Sequence, residues 1–271
     1  MASRGVASYG QKAARPSKKS MPTTFVQEFR RLLDEALSTP EETSGKPLRR
    51  CIGVYAFYDY DGEPIYVGQT TEDFGTRVGR HLTGQRSDTL AYRILDPFEV
   101  AEMELYPTEY LRTLPNSRTD RRRSRAVDAV EYAVYLKAIG NSKYNAILNE
   151  KIPPVSSRAP VPKHYRFKLV PDEMRHEREH PDVRIARRAE TLARVAAVAH
   201  ERGEVSEGLR RVIVVQAVRL ADLAAARLAF AEGRERPSPD AIDVKSLVGS
   251  VVLELSDPSG IRRDDDEDNS G

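Results

Sequence analysis

The spacing of apolar residues changes several times along the chain, and each change marks an element. Residues 1–21 are rich in Ser, Ala, Gly, Pro and Lys, show no apolar period, and read as a disordered basic tail. Phe25, Phe29, Leu32, Leu33 and Leu37 then share one stripe at helical spacing. This predicts a helix over about 23–37, capped by Thr23 or Thr24 and ended by Pro40. Residues 22–49 are thus expected to be an N-terminal helix with its linker.

The period shortens after residue 50. Residues 52–58, Ile-Gly-Val-Tyr-Ala-Phe-Tyr, read as a strand, Asp61-Gly62 as a turn, and 64–68 as the returning strand of a hairpin. A helix is predicted over about 72–83. The alternation at 98–106 predicts a third strand. An Arg-rich stretch then leads into a helix at about 121–139, with Val127, Val130, Val134, Leu136 and Ala138 on its apolar side and Gly140-Asn141 ending it. Pro153-Pro154 closes the unit. The expectation is an α+β domain over 50–153, a three-stranded antiparallel sheet flanked by helices.

Beyond it the prolines at 160, 162, 171 and 181 predict an irregular connector. Residues 183–202 and 206–232 read as two helices separated by Gly203, the second capped by Ser206 and apolar over most of its length. A short element is expected within 242–255. Residues 154–260 therefore read as a connector with a mainly helical C-terminal region, and 261–271 as an acidic disordered tail.

Composition narrows the class. Charged residues make up 31% of the 271, and no apolar run reaches membrane-spanning length, so no membrane partner is expected. No apolar stretch follows the N-terminal basic residues, so no secretory signal is expected. The single cysteine, Cys51, offers neither an internal disulfide nor a CxxC zinc site, and a cytoplasmic location follows by default. The net charge of +2 hides segregation: Arg112, Arg118, Arg121, Arg122, Arg123 and Arg125 face only Asp120 within 112–125. Such a local patch suits contact with a phosphate backbone whatever the net charge. His176 and His180 are four apart but have no third ligand in view, and His164-Tyr165-Arg166 carries no decisive signal.

The hairpin carries the chemistry. Gly53-Val54-Tyr55 and Tyr66-Val67-Gly68 sit on its two strands, with the tyrosines eleven positions apart. Arg77 and His81 are four apart on the next helix and share a face. Glu131 lies within the following helix, and Tyr144-Asn145 comes near the end of the domain. In this order the residues resemble the GIY-YIG nuclease superfamily, and the compact build is most similar to its type II restriction enzymes. The resemblance implies a metal-dependent DNA endonuclease. Tyr55, Tyr66, Arg77, His81 and Asn145 would be its catalytic residues and Glu131 its metal ligand for Mg2+, with Mn2+ able to substitute. A tyrosine would activate water, Arg77 would neutralise the phosphoryl oxygens, and Asn145 would brace the site. Some relatives carry lysine just after YIG. Gln69 stands there instead, and with the six arginines it is assigned to DNA contact. Double-strand cleavage by a one-site domain implies a homodimer, for which the apolar helix 206–232 is the expected interface, and a restriction role implies a partner DNA methyltransferase. The alternatives are a structure-selective or nicking nuclease in repair or mobile-element maintenance, and a DNA-binding protein that has lost catalysis.

Overall fold

The computed structural model describes residues 22–83, 94–156, 159–203 and 205–251. Both expected tails, 1–21 and 261–271, lie outside the described residues, as does the end of the expected element beyond 251. Helix α1 (Thr24–Ser38) leads through a short 3-10 turn into β1 (Gly53–Tyr58) and β2 (Pro64–Thr70), then α2 (Phe74–Thr83), β3 (Glu102–Pro107), α3 (Arg122–Asn141), β4 (Tyr165–Lys168), α4 (Asp172–Arg178), α5 (Pro181–Arg202), α6 (Glu207–Ala231) and α7 (Val244–Val248). The fold is α+β. No helix among the described residues is long and apolar enough to cross a membrane.

The sheet has four antiparallel strands in the order β2-β1-β3-β4, one more than the sequence predicts. The extra strand lies in the stretch expected to be an irregular connector. Tyr165-Arg166-Phe167-Lys168 alternates half-buried and exposed positions, and Glu104 lies opposite Arg166. Arg166 donates to Glu102 at 2.6 Å and to Glu104 at 3.0 Å, so cross-strand charge holds a strand too short to show a clear period. Pro162 and Pro171 flank it closely, as suits an edge strand.

The sheet is buried on both faces. Val54, Ala56, Tyr58, Val67 and Tyr106 pack under α3 through Val127, Val130, Val134 and Ala138. Tyr55, Phe57, Met103 and Leu105 belong to the opposite core, shared with α1, α2, α5 and α6. Leu209, Val212, Val215 and Val218 of α6 enter that same core. The apolar side of 206–232, expected to be a dimer interface, is thus largely covered within the chain; Leu228 and Phe230, 55% and 74% exposed, are its large apolar residues left outside.

Buried charge ties the helical layer to the hairpin turn. Asp59 accepts hydrogen bonds from the amides of Asp61 and Glu63, and its other oxygen meets Arg188 at 2.9 Å, Arg219 at 2.8 Å and Arg184 at 3.2 Å. Burial pushes the Asp59 carboxyl up, but the three guanidiniums outweigh it and hold the carboxyl below its ordinary value. Glu99 adds a second buried acceptor for Arg188 at 3.0 Å.

Candidate active site

Strand β2 is an edge of the sheet, and the cleft forms along it. Here α2 and α3 converge from opposite faces, while the segment after α3 returns beside the strand. Leu148 N–H donates to the Ile65 carbonyl at 2.8 Å. The Asn149 side chain then accepts from Val67 N–H at 3.0 Å and donates to the Val67 carbonyl at 2.7 Å. A carboxamide thereby closes a strand edge that would otherwise leave a donor and an acceptor unpaired. The result is a cavity of about 470 Å3 lined by Tyr66, Gln69, Arg77, His81, Asp128 and Glu131, with Asn149–Pro154 as its far wall.

The two tyrosines differ in environment. Tyr66 is half-buried and lines the cavity. Tyr55 is 0% exposed behind it, ringed by Phe57 at 5.2 Å, His81 at 5.8 Å and Tyr66 at 6.2 Å between centroids. Burial pushes the Tyr55 phenol well above its ordinary value, and the facing Arg77 offsets only part of this. Gly68 stands opposite Tyr55 in the ladder, where a Cβ would lie 2.5 Å from the Tyr55 hydroxyl. The closing glycine of the second motif is therefore required by the tyrosine of the first.

The charged groups converge on the same space. Arg77 and His81, one turn apart on α2, face the cavity together, His81 at 7% exposure. Burial lowers the affinity of the Arg77 guanidinium for its proton, but Tyr55 and Tyr66 more than restore it; its Nε is buried without a hydrogen-bond partner. Across the cavity, burial and then Asp128 push the Glu131 carboxyl up to about 8, with Arg77 pulling the other way. Asp128 is raised by burial and relieved by Arg121. Gln69 Nε2 donates to Asp128 Oδ1 at 2.9 Å. A half-buried carboxylate destabilised as an anion suits a divalent cation, which supplies the missing positive charge. Among the described residues no group of three or more His, Cys, Asp or Glu could hold a metal, so a site here would be one of few protein ligands and several waters.

The structure brings Tyr66, Arg77, His81 and Glu131 into one cavity with Tyr55 directly behind, and it does not bring Asn145. Asn145 is exposed, has φ 50°, and donates its amide to the Ser142 carbonyl at 3.1 Å. It is a left-handed turn residue, a role asparagine tolerates well. The asparagine at the cleft is Asn149, four residues later. Its available signal was its place just past the apolar run Ala146-Ile147-Leu148, three successive buried residues.

The arginine cluster divides. Arg112 donates to Glu109 at 2.7 Å and the Arg50 carbonyl at 2.8 Å, and Arg123 to the carbonyls of Leu114 at 2.9 Å and Arg112 at 2.6 Å. Both are half-buried braces of the loop before α3. Arg118, Arg121, Arg122 and Arg125 are exposed, Arg122 paired with Asp120 at 2.8 Å. Gln69 lines the cleft itself.

A family model described as the GIY-YIG catalytic domain matches residues 51–111. The match takes in the hairpin, α2 and β3, hence Tyr55, Tyr66, Arg77 and His81, and stops short of Glu131 and Asn149. No curated protein matches the chain, and no solved structure does.

Proposed function

We propose that this chain, which carries a GIY-YIG catalytic domain and with it a nuclease fold of that superfamily, is a divalent-metal-dependent DNA endonuclease whose reaction takes place in the cleft along β2. The observation that carries this reading is the single cavity shared by Tyr66, Arg77, His81 and Glu131.

The residues divide the work of phosphodiester hydrolysis. Arg77 presents a permanently charged planar fork to the non-bridging oxygens, and its buried, unpartnered Nε makes it ready to accept an anion. Tyr66 faces the cavity and orients the attacking water through its hydroxyl. Tyr55, buried and strongly held as a neutral phenol, packs behind the site and steadies Arg77. His81 exchanges a proton or hydrogen-bonds at the phosphate. Water oxygen adds to phosphorus as the bond to the leaving oxygen breaks; the proton lost by the water passes to His81 or solvent, and the leaving oxygen takes one up from the same source. Glu131 would hold the cation, with Mg2+ preferred and Mn2+ able to substitute; the bound ion would polarise the phosphoryl oxygen and favour ionisation of water. Asn149 keeps the cleft wall in place.

Sequence-specific double-strand cleavage of restriction type needs two such sites acting together, in a homodimer or in two encounters. The alternative is a nicking or structure-selective nuclease. The covering of α6 within the chain favours this second reading, because it removes most of the surface on which a dimer was expected. Supercoiled plasmid incubated with the protein and Mg2+ tests all of it. Relaxed circles that disappear from the products on chelation are expected. Discrete linear fragments would restore the restriction reading, and with it a paired methyltransferase. Cleavage by Glu131→Gln at the parental rate would remove Glu131 as ligand, and a shifted but uncut plasmid would overturn the enzymatic reading.

A further inference from the structure

Asp128 is the polar group of the cleft that the preceding scheme leaves without a role. It lies three residues before Glu131 on α3, a spacing that sets both carboxylates on one helix face, and both line the cavity. Among the described residues neither carboxylate makes an ion pair within 4.0 Å, although exposed acids elsewhere on the molecule do. One oxygen of Asp128 is held from across the cleft: Gln69 Nε2 donates to Oδ1 at 2.9 Å. The other end of that carboxamide, Oε1, is buried with no hydrogen-bond partner. A carboxamide left half-satisfied to anchor an acid, and two neighbouring acids with no ion pair, are together an unfavourable arrangement unless a cation completes it.

We propose that Asp128 is a positioning residue for the cation held by Glu131, accepting hydrogen bonds from the ion's water shell, and that Gln69 fixes Asp128 in that role. The proposal rests on Glu131 being the metal ligand. Mg2+ keeps most of its waters and takes one or two protein carboxylates, so a second acid nearby acts through bound water and through charge. Gln69 then has a purpose on β2: it joins the strand that carries Tyr66 to the helix that carries both acids, which fixes the water-orienting phenol relative to Asp128 and Glu131.

The test is cation binding by calorimetry on the full chain, with Mg2+ and with Ca2+, beside cleavage as a function of Mg2+ concentration. Asp128→Asn keeps the shape and removes the charge. It is expected to weaken the Mg2+ Kd about tenfold and raise the Mg2+ needed for half-maximal cleavage by the same factor, with the rate at saturating Mg2+ within about threefold of the parent. Gln69→Leu should shift both quantities in the same direction by less, and Asp128→Glu should restore part of the affinity. An unchanged Kd in Asp128→Asn, or a lost rate that added Mg2+ does not recover, overturns the proposal. Glu131→Gln separates the two levels. If it abolishes cation binding while Asp128→Asn does not weaken it, only the role of Asp128 fails; if it binds as the parent does, the metal reading itself fails. Should Asp128→Asn not fold, Gln69→Leu carries the same prediction, and an unchanged Kd there overturns the anchoring role.

Discussion

Glu131 is held in the cleft against its own charge, and that has a consequence with a definite sign. An unfolded glutamate ionises at about 4.5, whereas the folded one keeps its proton to about 8 because it is buried, and buried beside Asp128. Between those values the folded chain binds the extra proton, so with metal chelated this group's effect on stability worsens as pH rises. The penalty is absent below the lower value and complete above the upper one. Glu131→Gln should melt a few degrees above the parent at about pH 8.5 in chelator, and the difference should vanish toward about pH 4.5. Equal melting at both pH values would refute it. Divalent cation must displace that proton, so apparent Mg2+ affinity should rise with pH and level off near 8. At this scale the sequence is legible where polar residues recur in a fixed order on successive elements. Two tyrosines on a hairpin, an arginine after it and a glutamate in the next helix point to one place, and Tyr66, Arg77 and Glu131 do line one cavity. Asparagine carries no such order: Asn145 and Asn149 both lie in the irregular segment after α3, and only the hydrogen bonds to Val67 distinguish the one that closes the edge of β2.

Elements carry effects that no single site residue predicts. The loop before α3 and the first turn of that helix hold arginines of two kinds, indistinguishable in sequence because backbone carbonyls, as partners, leave no trace in it. Arg123 spans the loop to two carbonyls, so Arg123→Ala should lower stability by about 1–3 kcal/mol through unsatisfied acceptors and poorer packing. Replacing Arg118, Arg121 and Arg125 together with alanine should leave the melt within a degree or two and instead flatten the salt dependence of DNA binding by up to about one unit of slope for each phosphate no longer neutralised. A salt slope equal to the parent's would take this loop off the DNA path. Strand β4 was illegible for a related reason: a strand of four residues shows too little alternation, and the pairing of Arg166 with Glu102 and Glu104 becomes visible only once β3 lies beside it. The start of α6 reaches the cleft wall in the same indirect way. Gly208 lies against the Glu150 backbone so closely that a Cβ would collide with its carbonyl, and Ser206 donates to the Glu150 carboxylate at 2.8 Å. Gly208→Ala should push the wall segment away from β2, with an overpacking cost of about 1–3 kcal/mol and a lower kcat/KM, although the residue touches no reacting atom. Cleavage kinetics equal to the parent's would show that the wall yields without effect on the site.

The helical layer and the β-sheet unit share a core and a set of buried charges, so the molecule should unfold as one unit. In sequence Arg184, Arg188 and Arg219 look like solvated helix positions, since nothing local indicates that an aspartate in a distant turn will bury them. In the structure all three surround Asp59, and Arg219 is fully buried with Nε and Nη1 lacking hydrogen-bond partners. Removing the acid leaves three guanidiniums in a dry interior, so Asp59→Ala should destabilise the chain by about 3–5 kcal/mol, more than any cleft substitution above. Other contacts across the same boundary, among them Tyr144 to Asp222 at 2.8 Å and the apolar run of Leu209, Val212, Val215 and Val218, indicate that the loss is felt everywhere at once. Calorimetry should show one transition for the parent and one, at lower temperature, for Asp59→Ala. A chain cut back to 50–153 loses α1, α5 and α6 and keeps only α2 over the sheet face carrying Tyr55, Phe57, Met103 and Leu105. That fragment should show no cooperative melt and should not cut DNA, even though it retains Tyr66, Arg77, His81 and Glu131. Two separate transitions in the parent, or a fragment that melts sharply and cleaves, would mean that the helical layer is an independent addition and that the boundary near 153 divides two self-sufficient domains.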